Sequence, residues 1–495
     1  MPISKNGYRL KMDSLKEKTI KGIFWVGSTQ FVAQVISWAI TIFVARLLSP
    51  SDYGLMGMAM IFIGFAQFLN ELGIGTALIQ KQNLQRIEID SLFWLVVLNS
   101  LFLYSITFLS APLIAQFFNA PRLISILRVL GLNFVLGALI AIPFALLTKE
   151  LTFDKRCRAE LFSNILSSVT VLILALLKFG VWSLVFGSLS RNFLLILFLN
   201  YYSKWIPKLY FSIKKVIELL KFGANVTGSR VFWYLYSNSD YFIVGKVLGE
   251  KILGFYSLAF QLSSIPINKI ASIINPVALP TFSKLQNEEE ELKRYFLKFT
   301  RGVSFITFPA LIGLMFIADE FVNIVLTKKW TPIIFPLRLL CLVGLIKSMA
   351  FLIPPLLNAR GKAYLNLRYS LLCFLILPPA FLIGSKFGLK GVVLAWITGY
   401  PFVASYIFYL GLKEIHLSLS EYINNVIHII ISVMVMLLVL LIFKHTCAHI
   451  LNNWLRLIGY IFLGALSYLS TLSIFFPIVK KDITAFLVFK TNMHQ

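Results

Sequence analysis

About fourteen stretches of this chain are each long and apolar enough to cross a lipid bilayer, and the segments between them are short. A transmembrane helix needs about 20 mostly apolar residues to cross the hydrocarbon core. Of the 495 residues, 58% are hydrophobic and only 14% are charged, and the mean hydropathy is +0.82. A water-soluble chain of this composition would aggregate rather than fold. The sequence therefore predicts an all-α membrane protein with about 14 transmembrane helices.

The chain is strongly basic, with a net charge of +25, and its 46 Lys and Arg residues fall mainly in alternate loops between the apolar stretches. This alternation is the positive-inside pattern, in which cytoplasmic loops carry the basic residues. It predicts that both ends of the chain are cytoplasmic. It also indicates that the basic excess contacts anionic membrane lipids rather than nucleic acid.

The chain resembles itself at a spacing of 200 residues. The aligned pairs are Val44 and Val244, Arg46 and Lys246, Leu48 and Leu248, Gly54 and Gly254, and Ala59 and Ala259. A second echo joins residues 178–180 to residues 386–388, which both read Lys-Phe-Gly. The shift spans six predicted helices, an even number, so both halves would enter the membrane from the same side. Parallel halves are a known transporter architecture, with the substrate site between them; the alternative is chance similarity between apolar strings.

Ionisable side chains at membrane depth are the best candidates for a functional site, because each is costly there unless it faces a cavity or a partner. The basic candidates are Arg191, Arg230, Lys269, Arg338 and Lys347, and the acidic candidates are Glu71 and Asp240. Two acids cannot neutralise all of these basic groups, so we expect an anionic ligand. The alternative for each charge is structural, as a side chain that extends to the lipid head groups or that forms an interhelical ion pair.

The predicted helix at 218–247 is the most polar of the apolar stretches. At 100° per residue, Tyr234 and Ser237 share one face with Arg230 and Tyr241, which presents hydroxyl groups and a cation together. That combination suits phosphate and sugar. Asp240 lies about 15 Å along the helix from Arg230, so the two cannot pair directly, and Asp240 is free to carry a proton or Na⁺.

No arrangement typical of catalysis accompanies these residues. The sequence lacks a GxxxxGK[ST] loop and the HExxH, GxSxG and DxD patterns, which predicts a protein that is not an enzyme and that uses no cofactor. The four cysteines have no repeated spacing. In the cluster of His445, Cys447 and His449, the two histidines are four residues apart and could share a helix face and bind a metal, but an ordinary amphipathic loop explains the cluster more simply, so no metal site is predicted.

The stretch from Arg46 to Gly54, which reads RLLSPSDYG, is similar to the R-x-L-x-P-x-[DE]-Y-G signature of polysaccharide exporters and Wzx-type lipid-linked oligosaccharide flippases. These belong to the MOP superfamily, which also holds the MATE drug exporters. The resemblance covers about residues 15–415 and is strongest to the branch of colanic acid and teichuronic acid exporters. Further matching stretches lie at 71–80, 151–153, 180–185, 240–245, 248–249, 254–259 and 276–280.

The resemblance implies a MATE/MOP-like fold in which two six-helix lobes in a parallel pseudo-two-fold arrangement enclose a cationic cavity and two further helices follow. The expected segments are a cytoplasmic tail at 1–19, an N-lobe at 20–203 with helices one to six, a cytoplasmic linker at 204–217, a C-lobe at 218–412 with helices seven to twelve, two last helices at 423–478 and a cytoplasmic tail at 479–495.

The resemblance also implies a function. The substrate would be an undecaprenyl-diphosphate-linked oligosaccharide, moved from the inner to the outer leaflet of the bacterial cytoplasmic membrane for lipopolysaccharide O-antigen, capsule or exopolysaccharide synthesis. Alternating access would be coupled to an H⁺ or Na⁺ gradient, with Asp240 and Glu71 as hypothetical ion-coupling residues. The implied partners are membrane lipids, a polysaccharide polymerase and a chain-length regulator.

Three other functions remain open at this point. A MATE-like exporter of cationic drugs shares the fold, although a basic cavity should repel such substrates. A membrane polysaccharide polymerase or ligase would need a sizeable outward loop with catalytic residues, and the sequence shows none. A scaffold without transport activity would tolerate neutralisation of the buried charges.

Overall fold

A computed structural model describes residues 37, 39–70, 78, 85–150, 152–212, 233–446 and 452–475. Within these ranges the regular secondary structure is helical, with no strand. The predicted all-α class is therefore confirmed. Arg230 and Glu71, two of the candidate site residues, lie outside the described residues, as do Cys447 and His449.

The helices are labelled here in chain order. In the first part of the chain they are α1 (Pro50–Asn70), α2 (Arg86–Phe118), α3 (Leu123–Leu130), α4 (Leu132–Lys149), α5 (Phe153–Leu176), α6 (Val181–Ser203) and α7 (Ser239–Lys284). The later helices are α8 (Glu289–Phe316), α9 (Ile334–Ala350), α10 (Ile353–Ala359), α11 (Ala363–Ser385), α12 (Gly388–Glu414), α13 (Leu419–Thr446) and α14 (Asn453–Phe475). A helical turn (Ala318–Glu320), a π-helix (Phe321–Leu326) and a 3-10 helix (Lys328–Ile333) lie between α8 and α9.

Ten stretches of helix in the described part of the chain are long and apolar enough to cross a membrane. They are α2, α3 together with α4, α5 from Asp154 onward, α6, α8, the helices across Lys328–Ala359, α11, α12, α13 and α14. All ten coincide with apolar stretches read from the sequence. The full number of about 14 stays a prediction, because most of the first apolar stretch and parts of three others fall outside the described ranges.

The chain forms two compact units. The first unit contains residues 1–234 and 249–254, and the second contains residues 235–248 and 255–495. Gly249, with φ 81° and ψ 176°, interrupts α7 inside its first turns, a conformation that only glycine adopts without strain. The finer lobe boundaries expected from the sequence stay a prediction.

Each unit contains a helix hairpin at the place where the sequence repeats Lys-Phe-Gly. In the first unit, α5 and α6 pack together and Gly180 precedes α6 with φ 56°. In the second unit, α11 and α12 pack together and Gly388 begins α12 with φ 69°. The second echo therefore marks two hairpins of the same design, which supports an internal repeat rather than chance similarity.

The first echo also has a structural basis, at a close backbone contact within the first unit. A Cβ atom on Gly54 would overlap the carbonyl oxygen of Glu250, and a Cβ atom on Gly254 would overlap the carbonyl oxygen of Pro50. Because Pro50 and Glu250 are themselves 200 residues apart, the two contacts are reciprocal. Reciprocal contacts are what a local two-fold relation produces, so the repeat aligns the two glycines that allow this crossing.

Asp52 ties the start of α1 to the start of α6. Its Oδ1 atom accepts a hydrogen bond from the Val181 backbone N–H at 3.0 Å, and its Oδ2 atom accepts from the N–H and the hydroxyl of Ser49 at 2.9 and 2.7 Å. Helix N-termini expose N–H groups that lack partners within the helix and favour negative charge. Asp52, which is buried, thus satisfies donors at two helix starts. This gives the Asp of the DYG signature a structural reason.

We expect Asp52→Ala to destabilise the protein by about 1–2 kcal/mol, because donors at two helix starts lose their acceptor. Unfolding of the purified protein in an SDS titration measures the change. Glu150→Ala is the matched control, since Glu150 is exposed at the end of α4 and its loss removes the same charge. Equal stability of the two variants would contradict the capping role.

We expect Gly54→Ala and Gly254→Ala each to cost about 1–3 kcal/mol, because one added methyl group must push the two backbones apart. The double variant should cost less than the sum of the singles, since both methyl groups force the same separation. Gly313→Ala in α8, where a Cβ atom meets nothing within 4 Å, should be neutral or stabilising. The same SDS titration applies, and additive costs would argue against a shared contact.

Candidate functional site

Tyr234 packs onto α1 within the first unit. Its hydroxyl group donates a hydrogen bond to the carbonyl oxygen of Ile61 at 2.8 Å, and its ring centroid lies 5.7 Å from that of Phe65. A Cβ atom on Gly64 would collide with the Tyr234 hydroxyl group, so α1 carries a glycine where the tyrosine rests. The hydroxyl group is therefore engaged by the protein itself.

The polar stripe predicted along residues 230–241 is interrupted. Residues 233–237 are helical, Asn238 adopts φ −118° and ψ 3°, and α7 begins at Ser239. Tyr234 falls in the first unit, whereas Ser237, which is half-buried, and Tyr241 fall in the second. Periodicity alone missed this turn because each half of the segment keeps helical spacing.

Arg338 is neutralised by a carboxylate. Its Nη2 atom forms an ion pair with Oδ2 of Asp319, a residue of the short helical turn before the π-helix. Both side chains are about half-exposed, at 40% and 42%. The contacts of Arg338 thus fit the structural alternative, an ion pair, better than they fit a cation that is free to bind an anion.

Arg191 is held by amides instead of acids. Its Nε atom donates to Oδ1 of Asn164 at 2.7 Å, and its Nη1 atom lies 3.5 Å from Oδ1 of Asn192. No carboxylate among the described residues lies within 4.0 Å of its guanidinium group. Because amides carry no charge, Arg191 is oriented without being neutralised, and its side chain is exposed.

The amides around Arg191 continue into the interior of the first unit. Asn192 donates to Oδ1 of Asn133 at 2.8 Å, and Asn133 donates to the Ser188 hydroxyl group at 3.2 Å. Asn133 and Asn192 are almost fully buried, at 3% and 8% exposure. The candidates predicted from the sequence are ionisable groups and the hydroxyl groups of Tyr234 and Ser237, and they do not include this network; asparagines inside otherwise apolar helices are the signal that would have found it.

Lys269 and Lys347, the two lysines among the candidates, have different surroundings. Lys269 is exposed on α7, between Pro266 and Pro276. Lys347 is half-buried on α9, and its Nζ atom lies 3.8 Å from the ring centroid of Trp396. Neither ammonium group has a carboxylate within 4.0 Å in the described part of the chain.

Asp240 is fully buried in the second unit. Its Oδ1 atom accepts from the Tyr241 backbone N–H at 2.8 Å, and its Oδ2 atom accepts from the Tyr256 hydroxyl group. That hydroxyl group in turn accepts from Nε1 of Trp396 at 2.8 Å. The carboxylate thus has hydrogen-bond donors but no cation within ion-pair distance among the described residues. A buried carboxylate of this kind can take up a proton or a cation.

The described residues contain no group of three or more His, Cys, Asp or Glu that could hold a metal ion. His445 lies at the end of α13, but its two companions in the sequence pattern fall outside the described ranges. Of the four candidate cations that the structure describes, one is paired with a carboxylate, while Arg191, Lys269 and Lys347 are not. Three candidate cations in the described part of the chain therefore have no carboxylate at ion-pair distance.

We expect Tyr256→Phe to destabilise the protein by about 1–3 kcal/mol, because the buried Trp396 N–H group and the Asp240 carboxylate both lose a partner. Tyr364→Phe, at a tyrosine that is 53% exposed, is the matched control and should change stability little. SDS unfolding measures both variants. If the Tyr256→Phe protein is as stable as the control, the hydrogen bonds from Trp396 to Tyr256 and from Tyr256 to Asp240 contribute nothing to the stability of the fold.

Known proteins resemble this chain in sequence and in fold. The model of the polysaccharide biosynthesis protein family matches residues 43–335. Lipopolysaccharide biosynthesis protein WzxC of Escherichia coli strain K12 is 31% identical over 396 residues, which cover 78% of this chain and 79% of that protein. Succinoglycan biosynthesis transport protein ExoT of Rhizobium meliloti strain 1021 is 26% identical, with 58% of each chain covered.

Two solved structures show the same fold at low sequence identity. The lipid II flippase MurJ in an inward closed conformation superposes with a TM-score of 0.73 at 19% identity, covering 92% of this chain and 99% of that chain. An inward-facing multidrug resistance MATE family transporter of the MOP superfamily superposes with a TM-score of 0.62 at 18% identity, covering 78% and 94%. The expected MATE/MOP-like fold is confirmed. Because the family match spans more than half of the sequence and agrees with the relatives, the chain belongs to the polysaccharide biosynthesis protein family.

Proposed function

We propose that the chain is a flippase that moves undecaprenyl-diphosphate-linked oligosaccharide repeat units from the inner to the outer leaflet of the bacterial cytoplasmic membrane. The products would be assembled into lipopolysaccharide O-antigen, capsule or exopolysaccharide. The observation that carries the proposal is a set of cations without carboxylate partners on apolar helices, in a member of a polysaccharide biosynthesis family. One relative is named as a transport protein, and the fold is that of membrane transporters.

The chemistry of such a substrate matches the chemistry of the helices. A long lipid tail can stay in the bilayer, whereas the diphosphate and the sugars need a polar path. Arginine and lysine bind phosphate through charge-assisted hydrogen bonds. Arg191 offers a guanidinium group that neighbouring amides orient without neutralising it, and Asn164 and Asn192 place amides beside it for sugar hydroxyl groups.

We rank the candidate cations by their contacts. Arg191 and Lys269 are proposed to contact the diphosphate, together with Arg230, which the sequence places at membrane depth. Arg338 ranks lower because Asp319 already neutralises it. Tyr234 and Ser237 are proposed to line the path of the sugars near the start of α7.

We also propose that alternating access is coupled to an ion gradient through Asp240, with Glu71 as a second candidate. The support is that Asp240 is buried, is held by Tyr241 and Tyr256, and has no cation within ion-pair distance among the described residues. Both termini are proposed to be cytoplasmic, on the basis of the alternation of basic loops. A polymerase and a chain-length regulator are the proposed protein partners.

Depletion of the protein should cause linked repeat units to accumulate on the cytoplasmic leaflet and surface polysaccharide to fall. Arg191→Gln should reduce the transport rate about tenfold or more, because one charge-assisted contact with phosphate is lost. Arg338→Gln removes the same charge from a paired site and should have a much smaller effect. Leaflet-resolved analysis of the lipid-linked intermediates measures each variant, and Arg230→Ala extends the series.

The same strains distinguish the rival functions. Unchanged lipid-linked intermediates with increased sensitivity to cationic drugs would favour a MATE-like exporter, whose fold is shared. Normal flipping with failed polymer growth would favour a polymerase or ligase. Equal transport by Arg191→Gln and wild type would reject Arg191 as a diphosphate contact.

A further inference from the structure

The ammonium group of Lys347 lies inside an aromatic enclosure. Its Nζ atom is 3.8 Å from the ring centroid of Trp396, 4.8 Å from that of Phe260 and 5.5 Å from that of Tyr400. Phe381 packs against Trp396, with ring centroids 5.0 Å apart. Aromatic faces arranged around a point are how proteins bind ammonium-type cations. In this chain, helices α7 and α12 supply the faces and α9 supplies the cation.

The enclosure shares a wall with the buried carboxylate. Trp396 covers Lys347 with its ring and donates from Nε1 to the Tyr256 hydroxyl group, which donates to Asp240. Lys347 and Asp240 attract each other electrostatically, although they are not within ion-pair distance. A ring enclosure beside a buried carboxylate has the elements of a cation site, with the cation provided by the protein.

We propose that Phe260, Trp396, Tyr400 and Asp240 form a monovalent-cation site that Lys347 fills with its own ammonium group, so that Na⁺ is excluded and the proton is the coupling ion. This inference rests on the proposed function only in its last step, the assignment of the coupling ion. A metal cation would have to lie next to the lysine charge, and like charges repel strongly where water is scarce. A proton needs no coordination shell and can bind the carboxylate while Lys347 remains in place.

The other titratable groups beside this pair, or beside the groups that interact with it, are phenols and a thiol. In the described residues they are Tyr236, Tyr241 and Tyr256 before and within α7, Tyr369 and Cys373 on α11, and Tyr400 on α12. Such groups are uncharged near neutral pH. The charge of the site is therefore decided by Asp240 and Lys347.

Binding of small cations to the purified full-length protein in lipid nanodiscs tests the inference. Tryptophan fluorescence and melting temperature are followed during titration with NaCl and with methylammonium chloride, at constant ionic strength set by N-methyl-D-glucamine chloride. Wild type should show no saturable response. Lys347→Ala, which vacates the enclosure, should bind methylammonium at least tenfold more tightly than wild type and should become responsive to Na⁺.

Two controls make the result specific. Lys390→Ala removes another lysine that lies over a ring, that of Phe335, and should behave as wild type. The double variant Lys347→Ala with Asp240→Asn should lose the gained binding. If Lys347→Ala fails to give a monodisperse protein, Lys347→Met removes the charge, keeps most of the side-chain length, and should still become Na⁺-responsive.

Two results would overturn the inference. One is saturable Na⁺ binding by wild type that disappears in Asp240→Asn, and the other is a folded Lys347→Ala protein that binds neither cation. The binding assay does not depend on transport. Intact flipping with failed cation binding therefore rejects this inference alone, whereas failed flipping with the expected binding pattern rejects the proposed function alone.

Discussion

A charge placed on an apolar helix needs compensation, and the way in which each charge is compensated decides what it can do. The structure uses three kinds of partner. Arg338 is paired with the Asp319 carboxylate, Arg191 is held by the amides of Asn164 and Asn192, and Lys347 is enclosed by aromatic rings. Only the carboxylate cancels the charge. Amides and rings hold a cation in place while its field persists, so these two cations can still act on a phosphate or on a neighbouring acid.

The contacts between helix backbones also leave few buried polar groups without a partner. Within the first unit, one buried carboxylate at Asp52 satisfies donors at the starts of α1 and α6, and two glycines let backbones approach where side chains would collide. Small residues at crossings and satisfied helix ends are what apolar surroundings demand, because no water is there to hydrogen-bond an orphaned group. A short sequence signature thus has physical causes that do not depend on any substrate.

The sequence predicted the parts of this structure that depend on local pattern. Apolar length located the helices, and the repeat marked the positions at which the structure has the Gly54 crossing and the two Lys-Phe-Gly hairpins, because each of these leaves a trace at fixed spacing. Partners across helices leave no such trace. Asp319 was therefore not foreseen as the neutraliser of Arg338, nor Trp396 as the ring over Lys347. The turn at Asn238 was missed since helical spacing continues on both sides of it, and the amide network was missed because Asn133, Asn164 and Asn192 carry no charge that would mark them at membrane depth.

Corresponding positions of the two repeated hairpins hold side chains of different chemistry. With the offset of 208 residues that joins Lys178 to Lys386, Ser188 and Asn192 on α6 correspond to Trp396 and Tyr400 on α12. The first pair belongs to the buried amide network, and the second pair forms walls of the Lys347 enclosure. One hairpin therefore has a neutral hydrogen-bonding interior beside Arg191, while its counterpart has aromatic rings around a charge. In the proposed flippase the amide network beside Arg191 suits contacts with sugar hydroxyl groups, whereas ion coupling falls to Asp240 beside the Lys347 enclosure, since amides can bind hydroxyl groups but only a carboxylate can change its charge.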